Sequence, residues 1–241
     1  MESLRSLYRI NSKSGREDDI RRFVLSQLGE LNLSIWEDKI GNLFIIKGKT
    51  DIYPCIAAHL DEVHHPQKRN LIDVDGVIYA VDDNGERVGI GADDKNGVWV
   101  AMQLLRSEPV LKVVLFVQEE KDEELSGCHG SKACDLEFFN NVKYVIQCDR
   151  KGGSDIVTYS EKAELLLCNE DFIPRNLQQQ FGYKPANGGI TDVVALKQRG
   201  LSVPCCNISC GYYNAHKLDE YCVVSELRNC LSFVRCVVRS V

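Results

Sequence analysis

The sequence predicts an α/β fold, a three-layer sandwich with a mixed, largely parallel central sheet covered by helices. Three observations predict it. Lys112-Val113-Val114-Leu115-Phe116-Val117 and Tyr144-Val145-Ile146 are continuous apolar runs, which suit strands buried on both faces. Strand-like and helix-like stretches alternate along the chain. Of the 241 residues, 44% are apolar and 27% charged, the usage of a soluble globular chain with a full core.

The elements follow in order. Ser14-Gly15-Arg16-Glu17 has capping-box spacing, and Ile20, Phe23, Val24 and Leu28 continue it as an apolar helical stripe. Asn42-Leu43-Phe44-Ile45-Ile46 and Cys55-Ile56-Ala57-Ala58 read as strands. Asp75-Gly76 and Asn84-Gly85 punctuate Val77 to Ile90, which predicts a small antiparallel excursion with tight turns. Residues 95 to 106 read as a helix with Val98, Met102 and Leu105 on one side. A helix is expected from Thr191 to Arg199, a strand near Val203 to Ile208, and a last helix from Ser225 onward. Trp36 and Trp99 are expected in the core. With no repeat, linker or composition break, residues 1–241 read as a single domain.

Composition excludes several classes. A net charge of -6 argues against a broad nucleic-acid groove, which needs clustered Lys and Arg. No run approaches the ~18–20 apolar residues of a membrane helix. The start, Met1-Glu2-Ser3-Leu4, lacks a basic-then-apolar signal, so a cytoplasmic location is expected. There are 11 cysteines, an odd number, and no Cys-x-x-Cys pair. Cys55, Cys148, Cys205, Cys230 and Cys236 lie in apolar runs and read as small buried hydrophobes in a reducing compartment.

The chemistry is concentrated where apolar runs end. Cys55 to Ala58 runs into His59-Leu60-Asp61, Lys112 to Val117 into Gln118-Glu119-Glu120, and Tyr144 to Cys148 into Asp149. The strand near Val203 leads to a loop carrying His216. Open α/β sheets bind ligands beyond the carboxyl ends of their strands. Imidazoles and carboxylates delivered together there suit zinc or a similar divalent ion. Each residue alone has an ordinary reading: a solvated charge run for Glu119-Glu120, a surface pair for Asp149-Arg150, a helix start for Asp93-Asp94. Their joint placement is what argues for a site. His64-His65-Pro66 reads as a loop rather than a further metal site, and Tyr212-Tyr213 as packing or a cleft wall.

The order His59-x-Asp61, Gly91-Ala92-Asp93-Asp94-Lys95, Gln118-Glu119-Glu120, Asp149 and His216 resembles the co-catalytic di-zinc exopeptidases. The C-terminal part is most similar to the peptidase T group. It comprises Gly188-Gly189-Ile190-Thr191-Asp192, then Gly200-Leu201-Ser202-Val203-Pro204-Cys205-Cys206-Asn207, then Gly211-Tyr212-Tyr213-Asn214-Ala215-His216, with Glu220 beyond. The motifs span residues 59 to 220. The resemblance implies a zinc exopeptidase-like catalytic domain binding two divalent ions, zinc first, with cobalt or manganese as alternatives. Asp93 would bridge them, His59 and Asp149 would complete one ligand set, and Glu120 and His216 the other. Glu119 would be the general base and Asp61 would orient His59. Glu220 would support His216. A water shared by the metals would attack the amide of a small peptide.

Three departures bear on that reading. Six residues, Lys121 to Ser126, separate Glu119-Glu120 from Gly127-Cys128-His129-Gly130, so Glu123-Glu124 is a rival pair; Glu119-Glu120 is preferred because it follows the strand directly. Asn187 stands where the peptidase T group has an Arg that holds a peptide carboxylate. The implied substrate-binding residues are therefore Asn187, Gly188, Gly189, Thr191 and Arg150, with Arg175 another cation for the lost Arg. Only 37 residues separate Asp149 from Asn187, too few for a lid or dimerisation domain of roughly 100 residues. A monomer or weak oligomer is expected, acting on small peptides or, as an alternative, on N-acyl amino acids. A non-catalytic, metal-dependent peptide-binding protein is the reading from another class.

Overall fold

A computed structural model describes residues 1–120 and 127–240. Two helices open the chain, α1 (Glu2–Arg9) and α2 (Asp18–Leu28). α1 buries Leu4, Leu7 and Tyr8, and α2 buries Ile20, Val24 and Leu28, each at helical spacing. The expected capping box does not form. Gly15 turns the chain at φ +79° and Ser14 N–H donates to the Glu62 carbonyl, so the helix starts only after Glu17.

Next come β1 (Leu33–Glu37), β2 (Leu43–Lys47) and β3 (Tyr53–His59). The antiparallel excursion is present as β4 (Asn70–Val74), β5 (Val77–Val81) and β6 (Arg87–Val88), turning at Asp75-Gly76 and near Asn84-Gly85. Then follow α3 (Ala92–Ser107), β7 (Leu111–Phe116), α4 (His129–Ala133), β8 (Val142–Arg150), β9 (Asp155–Ser160) and β10 (Leu165–Leu166). The chain continues through α5 (Arg175–Phe181), β11 (Lys184–Gly188), α6 (Asp192–Gln198) and β12 (Cys205–Ser209). It ends with β13 (Tyr212–Tyr213), β14 (Tyr221–Val223) and α7 (Val224–Ser240).

Nine strands form one mixed sheet in the order β1-β2-β7-β3-β8-β12-β9-β10, with β11 also on β9. The central strands β7, β3, β8 and β12 run parallel, and β1, β2 and β10 pair antiparallel at the edges. Side-chain alternation divides the core into two layers. Ile56, Ala58, Val113 and Leu115 face the side covered by α1, α3 and α7, while Cys55, Ala57, Val114 and Phe116 face the side covered by α6. Both faces are therefore dry, which is why these strands read as unbroken apolar runs. α3 is buried nearly all round and packs on β3, β8 and β7 beneath α1 and α7. β9, β10, α5 and β11 fill the interval between Asp149 and Asn187 and extend the main sheet. A second sheet, β13-β14-β5-β4 with β6 on β5, holds the excursion.

Two further expectations are corrected. Trp99 is buried, but Trp36 is 43% exposed, because β1 is an edge strand and the indole stacks outside on Phe44. All eleven cysteines are free and ten are buried; Cys236, near the end of α7, is only half-buried. Among the described residues no helix is long and apolar enough to cross a membrane.

Candidate metal centre

Parallel pairing is what assembles the site. The register places Ala57 opposite Gln147 and His59 opposite Phe116, so the carboxyl ends of β3, β8 and β7 lie side by side. His59 ends β3, Asp149 lies next to the end of β8, and Glu119 and Glu120 follow β7. Asp93 comes from the opening turn of α3, and His216 from the loop after β13. Glu123 and Glu124, the rival pair, lie outside the described residues.

Asp93 is the centre of the arrangement. Its Oδ1 is 3.2 Å from His59 Nε2, and its Oδ2 is 3.2 Å from His216 Nε2. Asp149 Oδ1 lies 3.7 Å from His59 Nε2, and Glu120 Oε1 2.9 Å from His216 Nε2. Two donor groups result, His59-Asp93-Asp149 and Asp93-Glu120-His216, with donor atoms in each group within 4.8 Å of one another. His59, Glu119 and Glu120 form a third such group.

Hydrogen bonds fix these carboxylates from behind. Asp61 accepts from Glu119 N–H (2.9 Å) and Glu120 N–H (3.0 Å), and its carbonyl lies 3.1 Å from His59 Nδ1. One residue thus ties the β3 end to the β7 end. Gln147, two residues before Asp149 and on the same strand face, donates to Asp149 Oδ2. Asn207 on β12 accepts Asp149 N–H and donates to its carbonyl, both at 2.8 Å. Tyr212 OH donates to Asp149 Oδ1, whereas Tyr213 turns away to Glu226. Asp94 accepts His59 N–H at 3.2 Å and Gly97 N–H at 2.9 Å, so it braces β3 against the start of α3.

Glu220 acts elsewhere than expected. It is fully buried and accepts Gly91 N–H (2.7 Å) and Asp93 N–H (3.1 Å), with His64 Nε2 at 3.1 Å. It therefore holds the backbone that presents Asp93 rather than the His216 ring. His64 lies in a loop as expected, yet it is buried by this contact. His216 is half-exposed and sits at φ +67°, held by Asp93 and Glu120.

The charges conflict unless something positive joins them. Burial, then Asp93, pushes the Asp149 carboxyl well above its usual range; burial, then Asp93, also raises Glu120, with His216 and His59 opposing. Burial raises Glu119 well above its ordinary value, with Asp192, Asp149 and Glu120 adding to the effect and His59 opposing it. Burial opposes charge on His59, but Asp149, Asp61 and Asp93 outweigh it and hold the ring well above its ordinary value. Hydrogen bonds to Asp93 and Glu120 raise His216 to about 11. Asp93 goes the other way: burial is outweighed by His216 and His59, which hold it far below the carboxylate range. A buried set of carboxylates and imidazoles competing for protons is a donor set suited to divalent cations.

A pH dependence follows. Glu119, Glu120, Asp149, His59 and His216 all bind protons more tightly folded than unfolded. Their contribution to stability is therefore complete below the unfolded values and lost as pH rises through the folded ones. Asp93 and Asp61, whose values are lowered, finish changing below about pH 4. Chelator-treated protein should lose melting temperature from about pH 5 to about pH 9. Zinc should restore it, more at the alkaline end, because cations replace protons. Calorimetry across that range checks this; a chelated protein whose Tm climbs with pH contradicts it.

The centre opens into a cavity of about 430 Å³. Gly188, Gly189, Thr191 and Arg150 line it, but Arg150 is engaged by Asp155 at 3.1 Å. Asn187 is exposed, donates to Glu161 and does not line the cavity, because the β-bulge in β11 between Ala186 and Asn187 shifts the register there. Arg175 lines a different cavity. Sequence reasoning missed Lys162 and Cys128 on the wall, and the bracing by Gln147 and Asn207. Only Gln147 carried a usable signal, its period-two offset from Asp149.

No protein-family profile matches the sequence. Solved structures do. An aminopeptidase PepT from Bacillus cereus superposes with a TM-score of 0.79 at 17% identity, covering 98% of this chain and 96% of that one. A tripeptidase from Staphylococcus aureus gives 0.80 at 14% identity, covering 99% and 98%. A TET aminopeptidase from a marine sediment archaeon of the Thaumarchaeota gives 0.76 at 14% identity, covering 100% and 97%. The chain has the α/β fold of these aminopeptidases.

Proposed function

We propose that this protein is a metal-dependent exopeptidase that hydrolyses small peptides. The carrying observation is Asp93, whose two carboxylate oxygens each face a different imidazole at 3.2 Å. The fold shared with aminopeptidases and a tripeptidase supports the reading. His59, Asp93 and Asp149 would hold one divalent ion and Asp93, Glu120 and His216 a second, zinc first with cobalt or manganese as alternatives. Such a pair supplies an acidified water and a positive clamp for the carbonyl oxygen.

The chain's own residues supply the rest. Glu119 Oε2, 3.9 Å from His59 Nε2, takes the water's proton and returns it to the leaving nitrogen. Burial has already raised its proton affinity, as a base working near neutral pH requires. Asp61 fixes the His59 ring and the main chain of both glutamates. Residues 1–241 act as one catalytic domain, so loops on the core set the substrate range. Lys162, on the cavity wall with no hydrogen bond or ion pair to another described residue, is placed to meet a substrate carboxylate.

Metal analysis and a panel of aminoacyl, dipeptide, tripeptide and N-acyl substrates test the reading. Two metal equivalents with turnover of free-amine peptides are expected. No metal above trace and no hydrolysis after zinc, cobalt or manganese loading would overturn it, and preference for N-acyl substrates would move it to a deacylase. Lys162→Ala should raise KM about fivefold for free-carboxylate peptides and leave the matching amides unchanged, the effect of one exposed charge pair. Equal KM values for wild type and variant would remove Lys162 from substrate recognition.

A further inference from the structure

We propose that Cys128 is a positioning residue for Glu119, its thiol holding one carboxylate oxygen so that the other faces the cavity. The proposal rests on Glu119 as the base. Cys128 is 2% exposed on the cavity wall, and its Sγ donates to Glu119 Oε1 at 3.3 Å. Among the described residues it is the one side-chain hydrogen-bond donor to that carboxylate. The other oxygen, Oε2, is the one turned toward His59.

The backbone sets this contact independently of the thiol. Cys128 N–H donates to the Glu119 carbonyl at 2.7 Å, His129 N–H to Gln118 at 2.8 Å and Gly130 N–H to Val117 at 3.0 Å. Residues 128–130 thus run as a short ladder along the segment that carries the base. Asn42 clamps the ladder's far end, accepting Val117 N–H and donating to the Gly130 carbonyl. A Cβ at Gly130 would lie 2.4 Å from the Val117 carbonyl oxygen, so the approach is as close as a glycine permits. Cys128 itself is left-handed at φ +53°, and from there its thiol reaches Glu119.

The chemistry of a thiol suits the task. Burial, with Glu119 beside it, pushes the Cys128 thiol up, so it stays protonated and donates. An ammonium, guanidinium or main-chain N–H at that position would hold the carboxylate strongly and depress its basicity. A thiol is a weak, uncharged donor, so it fixes the rotamer and places no positive charge beside the base.

Two variants of the full chain, loaded with zinc, test the inference. Cys128→Ala keeps the main-chain ladder and removes only the donor; kcat should fall up to about tenfold with KM and metal content unchanged, the loss expected for one ordinary hydrogen bond. Cys128→Ser should recover most of the loss. The metal-free protein gives a readout free of activity: the S–H infrared band isolated by subtracting Cys128→Ala from wild type. It should lie below the free-thiol position and move up in Glu119→Ala, which removes the acceptor. A band at the free-thiol position, a band indifferent to Glu119→Ala, or an unchanged kcat in Cys128→Ala overturns the inference. Wild type inactive on the whole panel removes the peptidase reading instead, and the band then decides the Cys128–Glu119 contact alone.

Discussion

With Glu119 as the proposed general base, Glu119→Gln should lower kcat by about 10²–10⁴-fold, the range for loss of such a positioned group. The amide can still accept from Cys128, so the local fold is kept, but it cannot carry a proton between water and leaving nitrogen. Glu119 is the only one of the clustered acids that Cys128 ties back by one oxygen while the other remains turned to the centre. Metal content and KM should therefore match wild type. Inductively coupled plasma analysis beside steady-state kinetics checks both. A variant with wild-type kcat would show that another group takes the proton.

Asp93→Ala should have the largest effect. It removes one carboxylate from both donor groups at once, and each imidazole loses its contact at 3.2 Å. Metal affinity should weaken more than about 100-fold, beyond the 10–100-fold typical of losing only an outer partner of a ligand. Turnover should fall to background. Titration calorimetry on chelator-stripped protein measures the first, and the peptide panel the second. Circular dichroism shows whether the fold survives, and Glu220→Gln provides a milder disturbance of the same backbone. Asp93→Ala protein that still takes up two equivalents with wild-type affinity would refute the bridging role.

Legibility in the sequence depended on what each residue senses. The strands β3, β7 and β8 were readable because both faces are buried and the apolar run is unbroken. The excursion was readable because Asp75-Gly76 and Asn84-Gly85 write their own turns. β1 was not, since an edge strand alternates in burial and leaves Trp36 outside. The Ser14–Glu17 box failed because long-range contacts to Glu62 and Gln118 claimed that segment first.

The same division runs through the site. The sequence by itself determined the fold class, the strands whose ends carry His59, Glu119, Glu120 and Asp149, and the order of the acidic and imidazole groups, because these follow from apolar periodicity and spacing along the chain. Tertiary structure alone decided that Glu220 would hold the Asp93 backbone across 127 residues, that Asn187 would point away from the cavity, and that Cys128 and Lys162 would line it. Those contacts depend on which loops close over which strand ends. Local pattern fixes a residue's face and its element, but a partner more than a hundred residues away is chosen only when the sheet has brought the ends together.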